Sequence, residues 1–318
     1  MKEEWDKFID DSKNGTFLFK RDYIEYHKSR FLDYSLVFKR KGKMVAVMPA
    51  NIDGKTIYSH QGLTYGGIVS GTSMNAPLME NLIGSLKDVL GRDNISRLII
   101  KRIPHIYERV PSEDDLYIFN KINAKLIRRD LATTIALPNK IPYNRLRERK
   151  LKKAKELGIY VSQSDNFKDF WEILTQNLKN KYGRLPVHSI EEIEYLRKLF
   201  PNNIKLFVSF YEEKMVSGVV VYENETVAHL QYSASTSLGK EISAEDPIID
   251  YLIDLYSSNK NYLDFGISTE NEGKYLNTNL LFYKEGFGGR TIVYDFYQVD
   301  IEGELKWPNH LFHTKNMT

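Results

Sequence analysis

Apolar and polar residues alternate with a period of two over Tyr34–Arg40, Lys43–Pro49 and Ile57–Ser59, and β-branched and aromatic types are frequent there, so three strands are predicted. The period then changes. Leu78, Met79, Leu82, Ile83, Leu86, Val89 and Leu90 recur along one face of a helix, with Asn75 placed as its N-cap and Pro77 in its first turn. A further strand is predicted at Arg97–Ile103. The same series returns later in the chain. Strands Ile204–Tyr211 and Lys214–Glu223 are joined by a tight turn, and a third strand covers Val227–Ser233. A helix carrying Ile248, Ile249, Leu252 and Ile253 follows, then a strand at Tyr262–Gly266. Lys214-Met215-Val216 repeats Lys43-Met44-Val45 at an offset of 171, and the four helix positions repeat Leu78, Met79, Leu82 and Ile83 at an offset of 170. Two copies of β-β-β-α-β predict two similar α/β domains.

The boundary falls near Pro138–Pro142, which gives domains 1–140 and 141–318. Tyr143–Leu157 is strongly basic, with Arg145, Arg147, Arg149, Lys150, Lys152, Lys153 and Lys155 against Glu148 and Glu156. It reads as a helix with a thin apolar stripe whose charge is either a solvated face or a contact for an anion. Helices are predicted at Asn166–Lys181 and Ser189–Phe200, the latter opened by a Ser189/Glu192 capping box.

Composition narrows the chemistry. The 318 residues are 42% apolar and 27% charged, enough for a substantial core, which excludes a wholly disordered chain. With no cysteine, a thiol nucleophile, a disulfide framework and a thiolate metal site are all excluded. The seven histidines show no ligand spacing, so no metal site is expected. The N-terminus carries no apolar run after its charges, and no apolar stretch reaches the roughly 20 residues of a membrane span. A cytoplasmic protein with no membrane partner is therefore expected. A net charge of +3 is too small to argue for nucleic acid.

Two loops running from a strand into a helix invite ligands, because backbone N–H groups and the helix dipole converge at such places. One is Tyr232–Pro247, polar and glycine-containing, in which Lys240 could meet a pyrophosphate; alternatively it only leads into an ordinary capped helix, where Glu245 and Asp246 in the first turn would repel an anion placed on them. The other is Ser59–Gly71, where glycines shape the backbone and His60 and Tyr65 project beside it; alternatively these residues only shape and bond a turn. There is no Walker A sequence and no Gly-x-Gly-x-x-Gly after a strand. Gly286, Gly288 and Gly289 read as a stop for a helix at Leu276–Tyr283, before a strand at Thr291–Val299. Asp264, at the carboxyl end of an apolar strand, is the preferred general base, with His60 and Glu270 in reserve. Its other role would be to accept hydrogen bonds from the turn Gly266–Thr269.

The tandem copies, the segment Tyr262-Leu-Asp-Phe-Gly-Ile-Ser268 and the close Leu281-Phe-Tyr-Lys-Glu-Gly-Phe-Gly-Gly289 resemble the FemABX-like branch of the GNAT superfamily. Ser59–Gly67 and Pro186-Val-His-Ser-Ile-Glu-Glu192 look like the subgroup found with O-antigen and capsule sugars. The resemblance implies two tandem GNAT-like domains, each a mixed, mostly antiparallel sheet flanked by helices. It also implies an N-acyltransferase that moves an acyl group from CoA to the amine of a dTDP-linked 3-amino-3,6-dideoxyhexose. Acyl-CoA would be a co-substrate, and no cofactor would be held permanently. Strands Val227–Ser233 and Tyr262–Gly266 would splay to admit pantetheine, with Tyr232, Ser233, Ala234, Ser235, Leu238, Gly239 and Lys240 along the cofactor. His60, Tyr65, His188 and Asn271 would place the acceptor, and Arg184 or Lys284 its phosphates. One departure stands out: Ser235-Thr-Ser-Leu-Gly239 replaces the usual Arg/Gln-x-x-Gly-x-Gly/Ala loop. Alternatives are tRNA-dependent aminoacyl transfer to a peptidoglycan precursor, as in better-known FemABX members, or a non-catalytic binding module using the basic helix.

Overall fold

Helix Ala76–Arg92 organises one of two units in a computed structural model that describes residues 1–301 and 313–316. This unit comprises Met1–Asp130, Asn271–Gly273 and the described part of Val293–Thr318. The side chain of Asn75 accepts a hydrogen bond from the Leu78 N–H at 3.0 Å, so the sequence-predicted cap forms. Leu78, Met79, Leu82, Ile83, Leu86 and Leu90 are buried with Ile57, Leu98, Ile100 and Val299 of the adjoining strands. Strand Thr56–Tyr58 runs parallel to Arg97–Lys101, whose other neighbour is the antiparallel stretch Phe296–Asp300. The hairpin Leu36–Arg40 and Lys43–Met48 lies in a separate sheet with Val69–Ser70 and His313–Asn316. Its turn uses Lys41 and Gly42, both at positive φ, as a two-residue hairpin turn requires.

The second unit comprises Leu131–Glu270 and Lys274–Ile292. Its sheet places Tyr262–Ile267 beside Val227–Ser235, then Lys214–Glu223, Ile204–Tyr211 and Tyr160–Ser164. Ala132–Ala136 pairs antiparallel with the other side of Tyr262–Ile267. Among these pairs only Val227–Ser235 with Tyr262–Ile267 is parallel, which requires the crossover supplied by helices Ser237–Glu241 and Asp246–Tyr256. Ile248, Ile249, Leu252 and Ile253 bury against Phe207, Val219, Val221 and Leu263, as the repeat demanded. Helix Phe167–Tyr182 presses Phe170 onto strand residue Gly218, where a Cβ would fall 2.4 Å from the ring. The Ser189/Glu192 capping box is formed in full.

The fold class is the expected one: α/β, with mostly antiparallel sheets flanked by helices. Local differences have local causes. Strand Val227–Ser235 runs two residues past the expected end, and the stretch read as a loop contains the short helix Ser237–Glu241. Helix Thr278–Glu285 starts later than expected, because Asn277 caps it by accepting from Leu280 N–H. Strand Lys125–Ala136 was hidden by Arg128, Arg129 and Asp130, which break its apolar alternation. Among the described residues no helix is long and apolar enough to cross a membrane. Nor are three or more His, Asp or Glu grouped there to hold a metal ion.

Candidate active site

The parallel ladder of the second unit is short. Val227 pairs with Tyr262, Ala228 with Leu263 and His229 with Asp264, and there the ladder ends. Val227–Ser235 continues along its antiparallel neighbour Lys214–Glu223, with Gln231 as a bulge between the Val221–Leu230 and Val220–Tyr232 pairs. Strand Tyr262–Ile267 instead shifts register against Ala132–Ala136 beyond Asp264, helped by Gly266 at φ +69°. The two strands therefore part at the His229–Asp264 pair.

Asp264 is fully buried at 0% exposure. Its Oδ1 accepts from the Gly266 N–H at 2.9 Å and from the Thr134 hydroxyl at 3.2 Å, while its Oδ2 meets His229 Nδ1 at 2.8 Å. A carboxylate so enclosed cannot itself reach a substrate amine. It can fix the imidazole tautomer, because an ionised Asp264 holds the proton on Nδ1 and leaves Nε2 as the basic nitrogen. The arrangement thus places an oriented histidine where the strands separate.

Lys284, expected on a phosphate, is buried and donates to the carbonyls of Gly266 at 2.9 Å and Ile267 at 2.7 Å. Burial draws its amine down to about 8, against the pull of Asp264 and Glu245. Its Nζ ties helix Thr278–Glu285 to the end of the parted strand. Nearby lies a second polar cluster. Arg147 Nη1 meets both carboxylate oxygens of Asp246, at 2.8 and 2.6 Å, and its guanidinium lies 4.8 Å from the Tyr283 ring. Burial raises the Glu245 carboxyl, opposed by the hydroxyl of Tyr283, while Asp246 adds to the rise and Ser233 and Arg147 oppose it. Burial also raises the Tyr283 phenol far above its ordinary value. A carboxyl and a phenol with shifted proton affinities thus lie near strand residue Ser233, the Tyr283 hydroxyl buried without a hydrogen-bond partner among the described residues.

The expected cofactor residues divide. Ser233, Leu238 and Lys240 are exposed, whereas Ala234, Ser235 and Gly239 are buried in backbone packing. The Ser235 and Ser217 hydroxyls meet at 2.8 Å, and the Ser235 carbonyl accepts from Asn177 Nδ2 at 2.7 Å. Thr236 caps the Gly239 N–H at 3.0 Å. A Cβ on Gly239 would stand 2.2 Å from the Val216 carbonyl, so packing by itself is enough to require the glycine. Tyr232 and His188, expected on different ligands, meet each other: the hydroxyl is 2.5 Å from Nδ1. The His188 carbonyl also accepts from Trp171 Nε1 at 3.0 Å. Arg184 is exposed after helix Phe167–Tyr182.

In the first unit His60 and Tyr65 turn inward. His60, at φ +68° and 2% exposure, accepts from the Gly62 N–H at 3.3 Å and packs on His27 and Phe31. Burial draws its imidazole down to about 4. Tyr65 is buried between Phe19 and Tyr107, its hydroxyl 3.4 Å from Thr16 Oγ1. Asn271 is exposed at φ +50°, and the Glu270 side chain accepts from Asn277 Nδ2 at 2.9 Å. The structure thus joins His188 to Tyr232, and Asp264 to the Gly266 turn that Lys284 also grips. His229 and Tyr283 were not singled out in the sequence, while Glu245 and Arg147 were read there only as a helix-capping acid and as part of a basic face. His229 was within reach: two parallel strands aligned at Val227 and Tyr262 put it opposite Asp264.

No family model matches the sequence, and no curated protein matches it. Solved structures share its fold. FemX superposes with a TM-score of 0.67 over 94% of this chain and 95% of that chain, at 13% identity. A conserved protein of unknown function from Bacteroides thetaiotaomicron gives 0.61 at 9% identity, covering 93% of this chain and 95% of its own. L-PGS from Bacillus licheniformis gives 0.54 at 11% identity, over 84% and 85%. At these identities the likeness is one of fold.

Proposed function

We propose that this chain is an acyl-CoA-dependent N-acyltransferase. The observation that carries this reading is the parallel pair that parts at His229 and Asp264, in a chain with the fold of FemX. Pantetheine would lie along Leu230–Ser235, and a backbone N–H beside the bulge at Gln231 would face the thioester oxygen, a preorganised donor of the kind that lowers such barriers by several kcal/mol, about 10²–10³ in rate. The acceptor nitrogen attacks the thioester carbon, the new C–N bond forms, and the C–S bond breaks. The amine proton passes to His229 Nε2, which Asp264 prepares through Nδ1, and the sulfur leaves as the CoA thiol after taking up a proton. Glu245 and Tyr283 flank the same strand as further proton-holding groups.

The acceptor we infer is the amine of a nucleotide-linked sugar, a dTDP-3-amino-3,6-dideoxyhexose, as for sugar N-acyltransferases such as FdhC. In that reading residues 1–140 serve the acceptor and 141–318 the acyl-CoA. Support comes from the resemblance of Ser59–Gly67 and Pro186–Glu192 to that subgroup. The likeness in fold to FemX favours a second reading, tRNA-dependent aminoacyl transfer to a peptidoglycan precursor, which shares the amide-forming step and differs in the donor. Acetyl-CoA or 3-hydroxybutyryl-CoA incubated with a panel of amino-sugar nucleotides should release free thiol only with the right acceptor. If no acceptor raises thiol release above the CoA-only background, while an aminoacyl-tRNA donor yields product, the second reading replaces the first.

A further inference from the structure

Along strand Arg97–Lys101 of the first unit, Leu98 and Ile100 face the core with helix Ala76–Arg92, so Arg97, Ile99 and Lys101 stand on the opposite face. That face carries a pocket of about 520 Å³, within the range of about 300–1,000 Å³ typical of small-molecule sites. Register assembles its floor: Tyr58 lies opposite Ile99, and Lys101 opposite Phe296. Its charge is one-sided. Arg97, Lys101 and Arg128 line it against one acid, Glu272.

Two of these cations are held in place by their surroundings. The Arg128 guanidinium lies 4.6 Å from the centre of the Phe296 ring, and its Nε donates to Asp130 at 2.7 Å. Lys101 Nζ donates to the carbonyls of Gln61 at 3.0 Å and Leu63 at 2.8 Å, which leaves one of its three protons for a ligand. Burial, with Arg128 nearby, draws the Lys101 amine down to about 8 against the pull of Asp130, and an anion placed between the two cations would raise it again. Gln61 and Leu63 belong to the loop Ser59–Gly71, whose glycines and polar residues mark it in the sequence. His60 and Tyr65 of that loop are buried, but Gln61 lines this pocket.

We propose that the pocket binds a nucleoside diphosphate, with its phosphates on Lys101 and Arg128 and its base against Tyr58 and the planar guanidinium of Arg97. This rests on the reading of the acceptor as nucleotide-linked and gives that reading a place for the nucleotide. Titration calorimetry with dTDP, inorganic pyrophosphate and thymidine tests it on the full chain. The wild type should bind dTDP at least tenfold more tightly than pyrophosphate, and thymidine weakly. Arg97→Glu, at an exposed position, and Arg128→Gln should each weaken dTDP at least tenfold and leave acyl-CoA affinity unchanged. Absence of dTDP binding, unchanged affinity in both folded variants, or pyrophosphate binding as tightly as dTDP would overturn the proposal. Thiol release with a non-nucleotide amine, alongside no dTDP binding, sinks the pocket and leaves acyl transfer standing. Binding of dTDP without any thiol release does the reverse.

Discussion

Replacing His60 by asparagine separates two roles for the loop it occupies. Asparagine tolerates the left-handed backbone at this position and cannot titrate. In the folded chain the imidazole is drawn by burial from 6.5 to about 4. At pH 7.5 and above it is almost wholly neutral in both the folded and the unfolded chain and contributes almost no pH dependence. As the pH falls, the unfolded chain takes up the proton first, so stability is lost down to about pH 4 and no further. Linkage over that interval gives a loss of about 2 kcal/mol at pH 5 and about 2.5 kcal/mol at pH 4.5. Urea unfolding of wild type and His60→Asn at pH 7.5 and pH 5.0 measures it. The variant may not be compared at one pH alone, because the replaced ring has its own packing cost; that cost cancels in the double difference. The wild type should lose about 2 kcal/mol more than the variant between the two conditions. Equal losses would show that His60 titrates as an open imidazole, and its contact with the acceptor would again be the better account. Under the buried reading the acceptor KM of His60→Asn stays at the wild-type value.

Asp264→Asn should keep acyl-CoA affinity and lower kcat by about 10²–10⁴, since the His229 tautomer is no longer enforced; steady-state turnover within a few-fold of wild type would remove the pair from the mechanism. Gly239→Ala should lower stability by about 1–3 kcal/mol, because its Cβ would stand 2.2 Å from the Val216 carbonyl, and an unchanged Tm would refute that packing. Arg147→Met strands the buried Asp246 and should cost about 3–5 kcal/mol in denaturant unfolding. Adding Asp246→Leu should recover much of that loss, and a double variant no more stable than Arg147→Met would contradict the pairing argument.

The repeated helices were legible because each buries one continuous stripe: Leu78 through Leu90 in one unit, Ile248 through Ile253 in the other. Caps that depend on neighbouring residues were legible too, as at Asn75 and Ser189. Partners distant along the chain were not. The first hairpin pairs with Val69–Ser70 and His313–Asn316 rather than with the strand that follows it, and no local pattern signals that choice. The basic helix Arg145–Glu156 shows the same limit at the site. Its cations read as a solvated face or a contact for an anionic ligand, yet Arg147 is buried on Asp246 of the same chain, 99 residues later. Glycine cues pointed to ligands at Gly239, where the structure has a carbonyl pressed close, because loss of a Cβ serves both purposes. His229 and Asp264 became a pair only through strand register.

The first unit has a consequence for how the chain matures on the ribosome. Arg97–Lys101 needs Phe296–Asp300 beside it, so a strand made early waits for one about 195 residues further along the chain. Everything that builds the second unit, Leu131–Glu270 and Lys274–Ile292, emerges in between. At about 5–20 residues per second, the wait spans roughly 10–40 s of synthesis. The later-encoded unit can therefore close first, and a nascent chain stalled before Phe296 would expose an open strand edge to chaperones and proteases.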